Sequence, residues 1–388
     1  MKQLCAIILF TSLSVSCGNN PLKQTIDPAV LIEEIGKEFA PDKRVAYYQV
    51  SHEVVRDKII LKGETTESSA KATLVAALKA LQVEIVDSLQ LLVPEPALVN
   101  VSVCNIRGEP RHASELVTQS LLGTPLKVYK YEDGWYYVQT PDRYLGWLDS
   151  GGLEILSEAL AHQWKSSDKI AVTVPFDFVK SSISEDNISD VTEGNILRVL
   201  GEQRAFYQVA LPDGRAGLLR KASAEPYVDF LTVRKPLTEN ILSKAREFLG
   251  RPYLWGGTSG KAMDCSGFTK TVFYLNGLEL PRDASQQVHV GEIVETDSTL
   301  RNLIPGDLLF FGRKGDNETP DKVTHVGIYL GDGKMIHSSE RVQIQSLVPG
   351  DPAFAPHRLK TFLGARRMLA NIGSNGVVPL KEHQDYKS

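Results

Sequence analysis

Residues 251–268 read Arg-Pro-Tyr-Leu-Trp-Gly-Gly-Thr-Ser-Gly-Lys-Ala-Met-Asp-Cys-Ser-Gly-Phe, and residues 324–339 read Thr-His-Val-Gly-Ile-Tyr-Leu-Gly-Asp-Gly-Lys-Met-Ile-His-Ser-Ser. In the first, a turn-rich run leads to Cys265, after which Phe268, Val272 and Leu275 recur at helical spacing. This pattern predicts Cys265 at a helix N-terminus, where free amides and the helix dipole should lower the thiol below its ordinary pKa of about 8.5. The second alternates like a hairpin around Gly331-Asp332-Gly333. A three-residue turn there sets Leu330 opposite Lys334 and Gly327 opposite His337, with His325 on the same face. The two imidazoles are then diagonal neighbours on backbones roughly 7 to 8 Å apart, and Gly327 leaves the space between them open. The trio suits nucleophilic catalysis: Cys265 attacks, His325 is the general base, His337 holds its ring, and the Cys265 N–H stabilises the oxyanion. The same three residues as zinc ligands with an open fourth position form the alternative.

A helix over Glu239 to Leu249, stopped by Gly250, opens this C-terminal domain, which spans residues 238–368. Ahead of it the chain repeats itself at an offset of about seventy residues. Gly123, Leu126, Val128, Trp135, Tyr136, Val138, Pro141, Asp142, Gly146 and Leu148 recur as Gly194, Leu197, Val199, Phe206, Tyr207, Val209, Pro212, Asp213, Gly217 and Leu219. Short alternating strands around a Pro-Asp turn predict two like β-barrels, over 98–156 and 168–229. Tyr144 and Trp147 offer an aromatic platform in the first; Arg215 and Leu218 replace them in the second, which reads as a spacer.

Residues 28–93 predict a small α/β unit: a helix over Pro28 to Phe39, strands over Val45 to Val50 and Lys58 to Lys62, a helix over Ser68 to Leu81 with Leu74, Leu78 and Leu81 on one face, and a strand over Val83 to Leu92. Pro94-Glu-Pro96 ends it, and a plain spacer is the equal alternative for this stretch. The chain starts Met-Lys, with an apolar run from Leu4 to Phe10 and small residues to Ser16, then Cys17. That layout predicts a signal segment over 1–17 with lipidation at Cys17, although Ser14 stands where leucine is usual, and an ordinary cut yielding a soluble exported form remains the alternative. Cys5 leaves with the signal. Cys104 reads as a buried strand thiol, and Cys104 and Cys265 could pair in an oxidising compartment. Residues 370–388 read as a polar tail. A net charge of −4 over 388 residues offers no broad basic field, which argues against a nucleic-acid partner.

The run Asp-Gly-Trp-Tyr-Tyr-Val-Gln-Thr-Pro-Asp-Arg-Tyr-Leu-Gly-Trp-Leu over 133–148 resembles bacterial SH3-like domains. Tyr253-x-Trp255-Gly-Gly257, Asp264-Cys265-Ser266-Gly267, Pro281-Arg-Asp283, Pro305-Gly-Asp307, His325-Val-Gly-Ile-Tyr and His337 together resemble the NlpC/P60 peptidases. The resemblance implies an α+β chain: a papain-like catalytic domain preceded by two SH3-like barrels and the small α/β unit. It also implies a cysteine endopeptidase that cuts the γ-D-glutamyl to diamino acid bond of cell-wall peptides, with the first barrel set against the cleft so that only a short peptide with a free amino end fits. Tyr253 and Trp255 would line that cleft, Asp264, Ser266 and Asp283 would contact the peptide, and Glu115 and Tyr144 would reach its amine. Ala284 stands where the family often has serine, and Ser285 is the substitute. No cofactor or metal is called for, and the partners are wall-derived peptides and, through the lipid, a membrane. Two other classes stay open: a zinc amidase using the same cluster, and an inactive wall-binding lipoprotein.

Overall fold

The computed structural model describes residues 27–387, apart from 57, 185 and 298. The predicted lipidation site, Cys17, lies outside them. Among the described residues no helix is long and apolar enough to cross a membrane.

The N-terminal unit begins with α1 (Pro28–Phe39), started by Pro28 and by the Asp27 side chain, which accepts from the Ala29 amide. Strands β1 (Tyr48–Val55) and β2 (Lys58–Thr65) pair antiparallel, and α2 (Ser68–Ala80) crosses back to place β3 (Glu84–Leu91) parallel to β2. Ala70, Leu74 and Leu78, four residues apart, form the buried face of α2 and pack with Ile32, Ile35 and Leu61. The unit therefore has its own small core, as its periodicity predicts.

The first barrel contains β4 (Glu95–Val99), β5 (Val103–Arg107), β6 (Leu116–Leu121), β7 (Pro125–Glu132), β8 (Trp135–Gln139), β9 (Leu145–Asp149) and β10 (Leu153–Ile155). After α3 (Glu158–Ser166) the second contains β11 (Lys169–Val172), β12 (Asp177–Lys180), β13 (Asn187–Val191), β14 (Ile196–Gln203), β15 (Phe206–Ala210), β16 (Ala216–Arg220) and β17 (Ala224–Pro226). Strand order is 10-4-7-8-9-5-6 in one and, read in the same sense, 17-11-14-15-16-12-13 in the other, so the internal repeat is a repeat of topology. Its apolar positions are the two cores: Leu126, Val138 and Leu148 in one, Leu197, Val209 and Leu219 in the other. Pro96 does not end the preceding unit. It sits inside β4, opposite Lys127 of β7, and its carbonyl accepts from the Leu156 amide.

Helices α4 (Tyr227–Thr232) and α5 (Thr238–Glu247) lead to the catalytic domain. There the short hairpin β18 (Thr258–Ser259) and β19 (Ala262–Met263) precedes α6 (Cys265–Tyr274), then β20 (Leu278–Glu279) and α7 (Ala284–Gln287). A six-stranded sheet in the order 21-26-22-23-24-25 follows, from β21 (Glu292–Val294), β22 (Leu308–Arg313), β23 (Lys322–Gly331), β24 (Lys334–Ser339), β25 (Arg341–Ser346) and β26 (Phe362–Arg367), with α8 (Pro356–Lys360) before the last strand. Helix α6 packs on one face through Phe268 and Val272 against Phe310, Val326 and Ile328.

The final segment is not a free polar tail. Strand β27 (Val378–Pro379) pairs with β20, and Val377, Leu380 and Tyr386 enter the catalytic core, where the Tyr227 hydroxyl donates to the Tyr386 carbonyl at 2.9 Å. Three apolar anchors without helical or strand period gave no sequence signal. The two domains meet at a buried ion cluster, in which Lys270 of α6 contacts Asp142 of the first barrel's Pro-Asp turn at 3.2 Å and also Glu279. In the second barrel the matching Asp213 serves Arg215 instead.

Candidate active site

Asp264 caps α6: its Oδ1 accepts from the Gly267 amide at 2.7 Å, which fixes Cys265 as the first helical residue. The Cys265 N–H consequently has no partner within the helix. Strands β23 and β24 pair from the turn to Ile328 opposite Ile336. Beyond that rung the Ser338 hydroxyl donates to the Met263 carbonyl at 2.8 Å, and the Val326 amide acts on the Cys265 sulfur. The helix start is thus seated at the open end of the hairpin, one residue from His325.

His325 Nε2 and His337 Nδ1 lie 2.8 Å apart with ring planes at 89°. His337 Nε2 lies 2.9 Å from Gln345 Oε1. A carbonyl oxygen only accepts, so His337 carries its proton on Nε2, its Nδ1 accepts from His325 Nε2–H, and His325 Nδ1 keeps a free lone pair. One neutral chain of two bonds therefore sets both tautomers. Among the described residues no cluster of three His, Cys, Asp or Glu is arranged to hold a metal ion. The turn differs from its sequence reading. Gly331 pairs with Lys334 around a two-residue turn, and a bulge at Leu330 restores the register, so Gly327 still falls opposite His337. A Cβ at 327 would stand 3.0 Å from that of His337, which explains the glycine.

Burial pushes the Cys265 thiol up to about 11, and the Asp264 carboxylate adds to this, against the Val326 and Ser266 amides and Arg282. The sequence reading expected a lowered value. A helix N-terminus contributes about 0.5 to 1 kcal/mol, less than one pKa unit, and burial outweighs it. Burial, then His337 and Arg358, hold His325 well below the ordinary histidine range; burial and Arg358 hold His337 at about 4 against its bond to Gln345. Between pH 6.5 and 4 an unfolded chain binds protons that the folded His337 refuses, so stability falls as pH drops through this window and levels off below it. His337 alone should remove about 3 kcal/mol by pH 4. Urea unfolding at pH 7 and pH 4.5 checks this; a larger free energy at the lower pH would refute it.

Every residue singled out in the sequence for substrate contact lines one open cleft beside Cys265: Glu115, Tyr144, Tyr253, Trp255, Asp264, Ser266, Asp283 and Ser285. Its volume of about 560 Å³ is room for a short peptide. None of the lining residues belongs to the second barrel. The exposed indole of Trp255 donates to Glu115 Oε1 at 2.7 Å, across the seam with the first barrel. There Gly256, at φ +77°, lets the Leu116 carbonyl approach so closely that a Cβ would lie 2.1 Å from it. The Tyr144 ring is buried and only its hydroxyl enters, donating to Asp283 Oδ2 at 3.0 Å. Trp147 packs instead on Tyr137.

Two of these residues are engaged differently from their sequence reading. Both Asp264 oxygens are taken by protein donors, Oδ1 by Gly267 and Oδ2 by the Gly256 amide at 3.0 Å and by Arg282 at 2.5 Å. Arg282 also donates to Ser266 Oγ at 3.1 Å. Asp264 and Ser266 thus shape the cleft wall through a guanidinium only 1% exposed, and Arg282 in turn reaches Thr118 of the first barrel at 3.0 Å. The sequence reading also left Cys104 and Cys265 free to pair. Both are unpaired thiols in separate cores, and burial raises Cys104 to about 12. Arg44, Gln345 and Arg282 were missed.

The NlpC/P60 family pattern matches residues 250–359, and the bacterial dipeptidyl-peptidase Sh3 domain matches residues 106–153. The chain is 32% identical over 272 residues to a gamma-D-glutamyl-L-lysine dipeptidyl-peptidase of Bacillus cereus, covering 66% of this chain and 77% of that one. It is 31% identical over 229 residues to the Bacillus subtilis enzyme of the same name, covering 57% and 71%. A solved NlpC/P60 family protein from Bacillus cereus superposes with a TM-score of 0.60 at 27% identity, over 70% of this chain and 99% of that one. A papain-like domain carrying this cysteine and these imidazoles, behind a matching Sh3 domain, makes the chain a member of the NlpC/P60 family of cysteine peptidases.

Proposed function

We propose that the chain hydrolyses the bond between the γ-carboxyl of D-glutamate and the diamino acid in short wall-derived peptides that begin with a free L-alanine. Cys265 Sγ attacks the γ-carbonyl carbon while His325 Nδ1 takes the thiol proton, and the Cys265 N–H receives the developing oxyanion. The His325 imidazolium then gives that proton to the departing amine of the diamino acid, leaving a thioester. A water that loses its proton to the same nitrogen releases the dipeptide and restores the thiol. His337 and Gln345 hold the ring throughout. The observation that carries this reading is the Gln345–His337–His325 relay beside the Cys265 helix start, at a cleft walled by the first barrel.

Mass analysis of products from a stem tripeptide with a free or an acetylated amino end tests it. L-Ala-D-Glu plus free diamino acid from the first substrate is expected; release of free alanine, or recovery of the tripeptide uncut, would sink it.

We further propose that the mature protein is exported and lipid-anchored at Cys17, on the support of the apolar run Leu4 to Phe10, the small residues up to Ser16 and the cysteine that follows. The mass of the mature N-terminal peptide decides: an acylated Cys17 supports it, and an unmodified terminus at another residue rejects it.

A further inference from the structure

The N-terminal unit reaches the cleft. Between α1 and β1 the loop 40–47 is fastened to the first barrel: the Arg44 carbonyl accepts from the Leu145 amide at 2.7 Å, and the Val45 carbonyl accepts from Gln139 Nε2 at 3.0 Å. From this loop Arg44 enters the same lining as Cys265. Its Nε and Nη2 grip the two Asp42 oxygens at 2.9 and 2.7 Å, which fixes the guanidinium plane. Its Nη1 donates to Asp283 Oδ2 at 2.7 Å and to Ser285 Oγ at 2.9 Å. Gln286 Nε2 closes the ring of contacts on Asp42 at 2.8 Å.

With Tyr144 also donating to it, Asp283 Oδ2 is saturated, whereas Oδ1 stands 3.9 Å from Arg282, outside hydrogen-bond range. Asp283 also caps α7, where its side chain accepts from the Gln286 amide, so the lone pair that Oδ1 still keeps is what is left for a ligand. Ser285 Oγ accepts from Arg44, so its hydroxyl proton is free to donate beside it. We propose that Arg44 is a positioning residue through which the N-terminal unit completes the substrate cleft, aiming Asp283 Oδ1 and the Ser285 hydroxyl at the amino-terminal dipeptide of the substrate. The inference rests on the reading that Asp283 contacts the peptide. Arg44 has an electrostatic part as well: without its charge, Asp42 would keep only its bond from Gln286, and Asp283 only Tyr144 and the more distant Arg282.

Kinetics of Arg44→Ala, Arg44→Lys and Asp283→Asn in the full chain, on the free-amine tripeptide, test it. Arg44→Ala should raise KM about 10-fold with kcat within about twofold, because a ligand-binding group is loosened while the chemistry is untouched. Arg44→Lys keeps the charge but not the fork, and should recover part of the loss. Wild-type KM in Arg44→Ala while Asp283→Asn raises KM overturns the inference alone. Wild-type KM in Asp283→Asn overturns the reading beneath it. Should Arg44→Ala lower the thermal midpoint, Arg44→Lys with a wild-type midpoint decides: an intermediate KM supports the proposal, and an unchanged KM rejects it.

Discussion

Cys265→Ala is expected to reduce cleavage of the tripeptide by about 10,000-fold or more while leaving the fold intact. The size follows from the loss of the attacking atom, since no other cleft residue can form the thioester, and residual turnover would come from binding and oxyanion contacts alone. The fold should persist because replacing a thiol by hydrogen at a packed position costs about 1 kcal/mol, and Phe268, Val272 and Val326 around it remain. Turnover by product mass, read beside the thermal midpoint, checks the prediction. Activity above about 1% of wild type with an unchanged midpoint would place the nucleophile elsewhere. A thiol alkylator should reproduce the loss and a chelator should not; the reverse pattern would favour metal chemistry.

Acetylating the substrate's amino end is expected to lower kcat/KM about 100-fold or more, and Glu115→Ala should lower it by a similar amount on the free-amine substrate while barely affecting the acetylated one. An ammonium in the cleft has the Glu115 carboxylate and Asp283 Oδ1 available as acceptors; Glu115 is exposed in the free protein, and once a bound peptide covers the pair, a charge left without its partner costs about 2 to 5 kcal/mol. Truncating Glu115 also frees the Trp255 indole, so part of the effect should appear as a looser cleft wall. A matrix of two proteins and two substrates separates these contributions. Equal rates on free and acetylated peptide would remove the amine from the recognition scheme.

The barrels and the catalytic hairpin were legible because their information is local or repeated. Ten matched positions at one offset define the barrel core twice over, and Gly327 with two alternating imidazoles fixes a face whatever the exact turn. The turn itself was misjudged by one residue, because a bulge at Leu330 leaves no mark in the alternation. Arg44 was illegible for a different reason: it sits in an aperiodic loop, and its partner Asp283 is 239 residues away. Gln345 is an ordinary strand glutamine until its neighbour across the ladder is known to be a histidine strand. The direction of the thiol shift depended on how deeply the helix start is buried, which pattern does not encode. Val377, Leu380 and Tyr386 were passed over because their spacing matches no regular element, although together they make the last segment part of the core.

The tight seam at Gly256 and Leu116, with Arg282 spanning to Thr118 and Arg44 closing the far end, means that no one folding unit owns the substrate cleft. Competence is therefore an assembly property. A chain with only its last domain folded would carry the relay of Cys265, His325 and His337 on an open surface, without the walls that Arg44, Glu115 and Tyr144 add around a short peptide.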